Sequence, residues 1–129
     1  MNISHLDHFV LTVKDIQQTC EFYREVLAME IITFGNNRYA LKFGRQKINL
    51  HLVDHEFEPK ADCPTPGSAD FCLITTTPLE LVIEHCRKKG IAIVLGVVER
   101  TGAEGKINSI YIRDPDRNLI EIANYLQNE

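Results

Sequence analysis

The chain has 129 residues, of which 44% are hydrophobic and 25% are charged, and its formal net charge is −4. This composition is typical of a folded domain, and the acidic balance offers no basic surface for nucleic acid or an anionic membrane. The length predicts one domain, or two small repeats that share one core.

The sequence also predicts where the protein works. No apolar run approaches the roughly 18 residues of a membrane-spanning helix, and the N-terminus lacks the basic-then-apolar pattern of a signal peptide. The four cysteines are scattered and form no CxxC pair. We therefore predict a cytoplasmic protein with free thiols.

The first half of the chain predicts a strand, a helix and three further strands. Residues 5–13 alternate in a way that puts His8 opposite the apolar positions. Asp15, with Gln18 three residues later, is a capping-box pattern that predicts the start of a helix. Three β-prone stretches follow at residues 29–34, 38–43 and 47–53. In the third of these, His51 again alternates with apolar side chains.

The second half repeats this order after a proline-rich segment, residues 54–68, which predicts a linker. Thr77 predicts a helix cap, with Pro78 at the first helical position. Strands are predicted at residues 69–75, 91–98, 107–113 and 119–125. We therefore predict a single domain over residues 1–129, composed of module one (3–53), the linker (54–68) and module two (69–125).

Four metal-competent side chains occupy comparable positions in the two halves. His8 and Asp70 lie on the first strand of each half, and the halves align with His8 over Asp70 and His51 over Glu121. Two imidazoles and two carboxylates suit zinc, nickel, manganese or ferrous iron. A single histidine is more often a surface or core residue, so this prediction depends on a fold that brings the four together.

Two weaker candidates lie in the second half. Residues 100–105 form a glycine-punctuated run, which predicts a surface loop, a mobile lid or an anion clamp that includes Arg100. Tyr111 alternates with Ile110 and Ile112, so it faces away from them, either into a binding site or into a core. Arg100 and Tyr111 are therefore candidates for contact with a co-substrate.

Four stretches of the chain resemble the vicinal-oxygen-chelate superfamily, which includes glyoxalase I, fosfomycin-resistance thiol transferases, bleomycin-resistance proteins and extradiol dioxygenases. They are LDHFVLTV at 6–13, FY at 22–23, VLAM at 26–29 and DPDRNLIE at 114–121. Runs at 57–61, 100–103 and 109–111 are similar to a subgroup of small glyoxalase-domain proteins, some of which are named virulence proteins in bacteria.

The resemblance implies an α+β fold in which two βαβββ modules form a cupped, partly open mixed β-sheet barrel with a divalent metal on its floor. In glyoxalase I the ligands come from the positions of His8, His51, Asp70 and Glu121. The chain departs from that pattern, because glyoxalase I has glutamate where His51 stands and histidine where Asp70 stands. Asp70 is shorter than histidine. It therefore binds the metal directly, binds it through a water molecule, or acts only by orienting another ligand.

The activity that the resemblance implies is that of a metal-dependent lyase of the lactoylglutathione lyase type. Such an enzyme moves a proton between neighbouring carbons of the hemithioacetal of a thiol and an α-keto aldehyde, through an enediolate-like intermediate. Glutathione or another thiol is then the co-substrate, and Glu121 is the candidate base.

Three alternatives stay open. Two histidines and a carboxylate also describe the facial triad of a ferrous dioxygenase, although Asp70 stands where those dioxygenases have histidine. A thiol transferase is the second alternative. The third is a non-enzymatic protein that sequesters a small molecule, of the bleomycin-resistance kind, although such proteins use no metal ligands on the cup floor.

The expected partners are a small-molecule substrate and a second copy of the chain, with no nucleic acid and no membrane. One βαβββ module leaves a curved sheet uncovered, so modules must pair within a chain or between chains. Some members of the superfamily use the second arrangement. We therefore expect a homodimer in which His8 and His51 of one chain share a site with Asp70 and Glu121 of the other.

Overall fold

The computed structural model describes residues 1–126, and the chain divides into two compact units, residues 1–68 (unit 1) and the part from Ala69 onward (unit 2). Unit 1 contains β1 (His8–Val13), α1 (Ile16–Leu27), β2 (Glu30–Phe34), β3 (Arg38–Phe43) and β4 (Gln46–Leu52). Unit 2 contains β5 (Asp70–Ile74), α2 (Leu79–Lys88), β6 (Leu95–Gly102), β7 (Gly105–Arg113) and β8 (Leu119–Tyr125). The predicted α+β class, with two βαβββ units, is confirmed.

Unit 1 is a four-stranded sheet in the order β1-β4-β3-β2 with α1 on one face. The strand β1 runs parallel to β4, and the other pairs are antiparallel. The helix begins as predicted, because Asp15 Oδ1 accepts a hydrogen bond of 2.9 Å from the backbone N–H of Gln18. Its apolar stripe and the facing strands supply the buried side chains of the core: Cys20, Tyr23, Val26, Leu11, Val13, Leu41, Ile48 and Leu50.

Unit 2 is a four-stranded sheet in the order β5-β8-β7-β6, with β5 parallel to β8 and the other pairs antiparallel. Its core consists of fully buried side chains at alternate positions of β7 and β8, together with two residues of α2. They are Ile110, Ile112, Ile120, Ile122, Leu79 and Cys86. Because side chains alternate along a strand, the residues between these isoleucines lie on the opposite face of the sheet. Among residues 1–126, no helix is both long enough and apolar enough to cross a membrane.

The start of α2 differs from the prediction. Pro78 occupies the N-cap position, the helix begins at Leu79, and no side chain at the cap position bonds to the helix. The cap instead comes from β8, where Asn124 Oδ1 accepts a hydrogen bond of 3.1 Å from the backbone N–H of Leu79. Asn124 Nδ2 donates to the backbone oxygens of Thr75 at 2.8 Å and Thr77 at 2.9 Å. The predicted cap at Thr77 is therefore wrong, because a residue distant in the sequence satisfies the helix terminus.

The position of β6 also differs from the prediction. The strand runs from Leu95 to Gly102 rather than over residues 91–98, and Gly102 pairs with Gly105 of β7. Arg100 therefore belongs to a strand, and the predicted loop at 100–105 is wrong, because only the tip between the two glycines is a turn. Polar side chains such as Glu99 and Arg100 are tolerated in β6 because it is an edge strand with exposed side chains.

The turn before β8 is a buried hydrogen-bonded structure. Asp114 Oδ1 accepts hydrogen bonds from the backbone N–H groups of Asp116 at 2.9 Å and Asn118 at 3.0 Å, and Oδ2 accepts one from Asn118 Nδ2 at 2.8 Å. Asn118 Oδ1 in turn accepts a hydrogen bond of 2.9 Å from the backbone N–H of Ala69, next to β5. The turn thus fixes the start of β8 against β5, which sets the position of Glu121.

Candidate functional site

Glu121 lies on the face of unit 2 opposite α2, in the middle of β8. Its neighbours in the sheet are Cys72 on β5 and Tyr111 on β7, and cross-strand partners project from the same face. Glu121 Oε2 accepts a hydrogen bond of 2.6 Å from the hydroxyl of the fully buried Ser109. A buried serine thus orients a carboxylate on this face.

The carboxylate of Glu121 raises the pKa of its neighbour Cys72. Although Cys72 as a whole is exposed, partial burial in the sheet raises the pKa of its thiol, and the negative charge of Glu121 raises it further, to about 11. The thiol is therefore neutral at pH 7. All four cysteines are free, and Cys72 lies on this face of the sheet beside Glu121.

A cavity of about 410 Å³ opens on the same face of unit 2. It is lined by side chains of β5 and β8 and by the hairpin of β6 and β7: Cys72, Ile74, Glu121, Tyr125, Ile107 and residues 100–103. The volume suits a small organic molecule. Glu121 is the acidic residue in this lining, so a ligand in the cavity contacts a carboxylate, apolar side chains and Arg100.

Arg100 and Tyr111, the two predicted co-substrate contacts, bind each other. Arg100 Nε donates a hydrogen bond of 3.1 Å to the Tyr111 hydroxyl, and the guanidinium carbon lies 5.7 Å from the centre of the ring. Tyr111 lies on the Glu121 face, as the alternation along β7 predicts. Arg100 lines the cavity and Tyr111 binds Arg100 through its hydroxyl, while the contact of either residue with a co-substrate remains a prediction.

Asp70 lies on the same face as Glu121 but not beside it. Its partner on β8 is Leu119, two residues before Glu121, and its side chain is exposed. Diagonal neighbours of this kind lie about 7–8 Å apart, which is within reach of a shared ion or of a bridging water.

In unit 1, His51 is a buried side chain on the face opposite α1. It is 4% exposed, and its ring packs edge-on against Phe57 with the ring centres 5.5 Å apart. Burial lowers the pKa of His51, and the positive charge of Arg38 lowers it further, while Glu56 opposes this shift. The imidazole is therefore neutral at pH 7, which is the form that binds a metal.

His8 lies on the same face as His51 but is exposed, and its Nδ1 is 3.8 Å from the Asp7 carboxylate. The β1–β4 register pairs His8 with Lys47 and pairs Thr12 with His51. Four residues of strand therefore separate the two histidines, which is about 13 Å along the sheet.

This register corrects the alignment of the two halves. His8 pairs with a residue four positions before His51, whereas Asp70 pairs with a residue two positions before Glu121. If Asp70 corresponds to His8, then the unit 1 counterpart of Glu121 is Asn49 and not His51. The alignment was wrong because it followed residue type, while equivalence in a sheet follows strand pairing.

The structure thus brings Asp70 and Glu121 to one face of unit 2, and His8 and His51 to one face of unit 1. Within residues 1–126, no three or more His, Cys, Asp or Glu side chains are grouped in a way that could hold a metal ion. The convergence of all four predicted ligands remains a prediction.

Sequence reasoning missed two polar residues of these faces. Ser109, which donates a hydrogen bond to Glu121, alternates with Ile110 along β7. The sequence draws attention to it only through the run 109–111, which is similar to related chains. Asn49 is 8% exposed, and its side-chain oxygen has no hydrogen-bond partner among the described residues. Its signal in the sequence was its place between Lys47 and His51 in an alternating strand.

The fold and these faces define a class of protein. The model of the glyoxalase/bleomycin resistance protein/dioxygenase superfamily matches residues 5–122 of the chain. The chain therefore belongs to this superfamily, which confirms the resemblance found in the sequence.

Particular relatives are similar over nearly the whole chain. Virulence protein STM3117 of Salmonella typhimurium is 60% identical over 98% of this chain and 88% of its own length, and its crystal structure has a TM-score of 0.96. Glyoxalase domain-containing protein RDO1 of Mycosarcoma maydis is 48% identical over 97% of this chain and 70% of its own length. The crystal structure of lactoylglutathione lyase from Agrobacterium tumefaciens, at 22% identity, 96% coverage of each chain and a TM-score of 0.73, shares the fold.

Proposed function

We propose that this protein is a metal-dependent lyase of the glyoxalase type, which acts on the hemithioacetal of a small thiol and an α-keto aldehyde. The observation that carries the proposal is Glu121, a carboxylate that a buried serine orients at the wall of a 410 Å³ cavity. A reaction that moves a proton between neighbouring carbons needs one such base beside a substrate-sized space.

The residues of unit 2 have distinct roles in this proposal. Glu121 takes the proton from one carbon of the substrate and returns it to the next, through an enediolate. The hydrogen bond from Ser109 occupies Oε2, so Oε1 is the oxygen that carries the proton. Arg100 and Tyr111 hold the thiol portion, and the neutral thiol of Cys72 adds no second negative charge beside the base.

The proposed ligands fit a divalent metal in their chemistry. Imidazole nitrogens from His8 and His51 and carboxylate oxygens from Asp70 and Glu121 are donors that zinc, nickel, manganese and iron accept. The lowered pKa of His51 keeps its ring in the metal-binding form. When bound, such a metal polarises neighbouring oxygens of a substrate and stabilises the negative charge that develops there.

We further infer that the protein forms a homodimer and works in the cytoplasm. The support for a dimer is that each unit covers only one face of its sheet with a helix and leaves the other face with exposed apolar side chains, among them Val10 and Ile74. The small size, the acidic charge and the four free thiols support the cytoplasm.

The variant Glu121→Gln tests the proposed function. The change removes the base and keeps the volume, so kcat for thioester formation from methylglyoxal and glutathione should fall by about 10²–10⁴-fold. The assay is run with zinc, nickel, manganese and ferrous iron in turn. Glu99→Gln is the matched control, because Glu99 is an exposed β6 carboxylate that pairs with Lys106.

Two results would contradict the proposal. One is near-native turnover by Glu121→Gln. The other is a wild-type protein that binds the hemithioacetal but converts none of it with any of the four metals, which would favour a protein that only sequesters its ligand.

A further inference from the structure

The proline-rich segment after β4 begins as a folded element rather than as a free linker. Asp54 has a φ of +67°, a left-handed conformation that few residues with a side chain adopt. The backbone N–H of His55 donates a hydrogen bond of 3.0 Å to the backbone oxygen of the last residue of β4. The Glu56 carboxylate accepts a hydrogen bond from the backbone N–H of Asp54 and lies 3.5 Å from Lys60 Nζ. These contacts make residues 54–60 a compact loop, which we call the strap.

The strap is attached to the sheet of unit 1 through Phe57. The Phe57 ring packs edge-on against His51 of β4, with 5.5 Å between the ring centres and 75° between the ring planes. The guanidinium carbon of Arg38, on β3, lies 4.3 Å from the centre of the Phe57 ring and 5.4 Å from the centre of the Phe34 ring. A cation–π contact thus ties the strap to β3, while the same ring contacts β4.

His51 is held by packing and not by hydrogen bonds. The residue is 4% exposed, and within the part of the chain that the structure describes its ring has no hydrogen-bond partner. His8, which lies on the same face without such a cover, is exposed. The last torsion of a histidine side chain is broad and roughly two-fold. The edge-on contact with Phe57 therefore restricts the orientation of the His51 ring.

We propose that the strap holds the imidazole of His51 in one orientation, with Phe57 as the positioning residue and Arg38 as its support. The reason that this orientation matters, which is the role of His51 as a metal ligand, rests on the proposed function. A ligand is productive only within about 0.5 Å and 10–20° of the required geometry, and packing can lock a side chain to that precision. The strap itself rests on the geometry of unit 1.

Chemical modification tests the contact between the strap and His51 without any metal. Diethyl pyrocarbonate modifies accessible neutral imidazoles, and fragment ions of the tryptic peptide 48–60 distinguish His51 from His55. In the full-length wild type, His51 should react at least about tenfold more slowly than the exposed His8, because it is protected until the strap opens. Phe57→Ala should raise the rate at His51 by about tenfold, since the cover is then removed.

Calorimetric titration with nickel tests whether the orientation of His51 matters to a metal. Phe57→Ala should weaken nickel binding by about tenfold, which is the lower end of the effect of residues that support a metal ligand. Phe57→Tyr keeps the ring edge against His51 and should stay within about twofold of the wild type. Arg38→Lys keeps the charge but loses the planar group that stacks on Phe57, so we expect an intermediate loss of about threefold.

Phe43→Ala is the matched control for the loss of a phenylalanine ring. Phe43 is half-buried like Phe57, but alternation along β3 places it on the α1 side of the sheet. This variant should change neither the modification rate at His51 nor the nickel affinity by more than about twofold. Urea denaturation verifies that every variant is folded under the conditions of both measurements.

Three results would overturn the proposal: a wild type in which His51 reacts as fast as His8, an unchanged rate at His51 in Phe57→Ala, or equal nickel affinity in Phe57→Ala and the wild type. A different result would contradict only the proposed function. If the modification rates are as expected but the wild type binds no nickel, then the proposed metal site is wrong and the strap stands.

Discussion

At the scale of single residues, Glu121 and Cys72 act on each other because they lie side by side on neighbouring strands. Partial burial disfavours the thiolate of Cys72 most, and the neighbouring carboxylate disfavours it further, so the pKa of the thiol rises from 9.0 to about 11. Below pH 9 this lowers the thiolate fraction by about a hundredfold. Cys72 is therefore a chemical reporter of the charge on Glu121.

Alkylation of Cys72 by iodoacetamide should accelerate in Glu121→Gln. Removal of the carboxylate charge lowers the pKa of Cys72, which raises the thiolate fraction, and we expect at least a roughly threefold faster reaction at pH 8. The larger effect of burial persists, so the rate stays below that of an ordinary thiol. Mass spectrometry of the Cys72 peptide measures the rate, with the exposed Cys63 as an internal reference.

The same measurement on Glu99→Gln provides the control, since that residue lies on the opposite face of the sheet. An unchanged rate at Cys72 in Glu121→Gln would mean that the two side chains do not lie together in solution. That result would remove the basis for placing Glu121 at the wall of the cavity.

At the scale of secondary-structure elements, the start of α2 depends on a residue that follows it by 45 positions. Asn124 satisfies one helix N–H and two backbone oxygens of the segment before the helix. It thereby ties α2 and β5 to β8, the strand that carries Glu121.

Replacement of Asn124 by alanine should therefore destabilise the protein more than replacement of Thr77. Asn124→Ala leaves these backbone groups without partners, and we expect a loss of about 1–3 kcal/mol in the free energy of unfolding. Thr77→Ala should cost less than about 0.5 kcal/mol, because Thr77 offers no side-chain cap. Urea denaturation of both variants measures the difference, and a larger loss in Thr77→Ala would contradict the assigned cap.

The elements that sequence periodicity predicted well are those whose signals are local. The cap at Asp15, the strand 119–125 and the order of both units agree with the structure, because capping boxes and alternation act within a few residues. The predicted cap of α2 and the predicted start of β6 were wrong because both depend on contacts with other strands rather than on local signals. Asn124 acts over a long sequence distance, and β6 owes its position to pairing with β7 rather than to its own apolar residues.

The candidate site shows the same difference between what local signals predict and what long-range contacts decide. Alternation predicts that Tyr111 faces away from Ile110 and Ile112 and that His8 and His51 each face away from the apolar positions of their strands, and the strand register agrees. Local periodicity does not determine strand register, so the sequence could not predict that four residues along the sheet separate the two histidines. The unpartnered amide of Asn49 became visible only when its burial was known.

At the scale of the whole molecule, the proposed site draws its ligands from both units, and the proline-rich segment 54–68 connects them. Each sheet has one face covered by its own helix and one face that needs a partner. Pairing between two chains meets this need for both units at once, and two-fold symmetry then produces two equivalent sites. This is the arrangement that we propose.

Mixing two inactive proteins tests this arrangement. His8→Ala alters unit 1 and Glu121→Gln alters unit 2, so a heterodimer with shared sites has one site with both changes and one with neither. If subunits exchange at random, half of the dimers are mixed, and activity should recover to about a quarter of the wild-type value. Light scattering verifies the dimer, and tagged subunits verify the exchange. A mixture that exchanges subunits but stays inactive would mean that each site is built within a single chain.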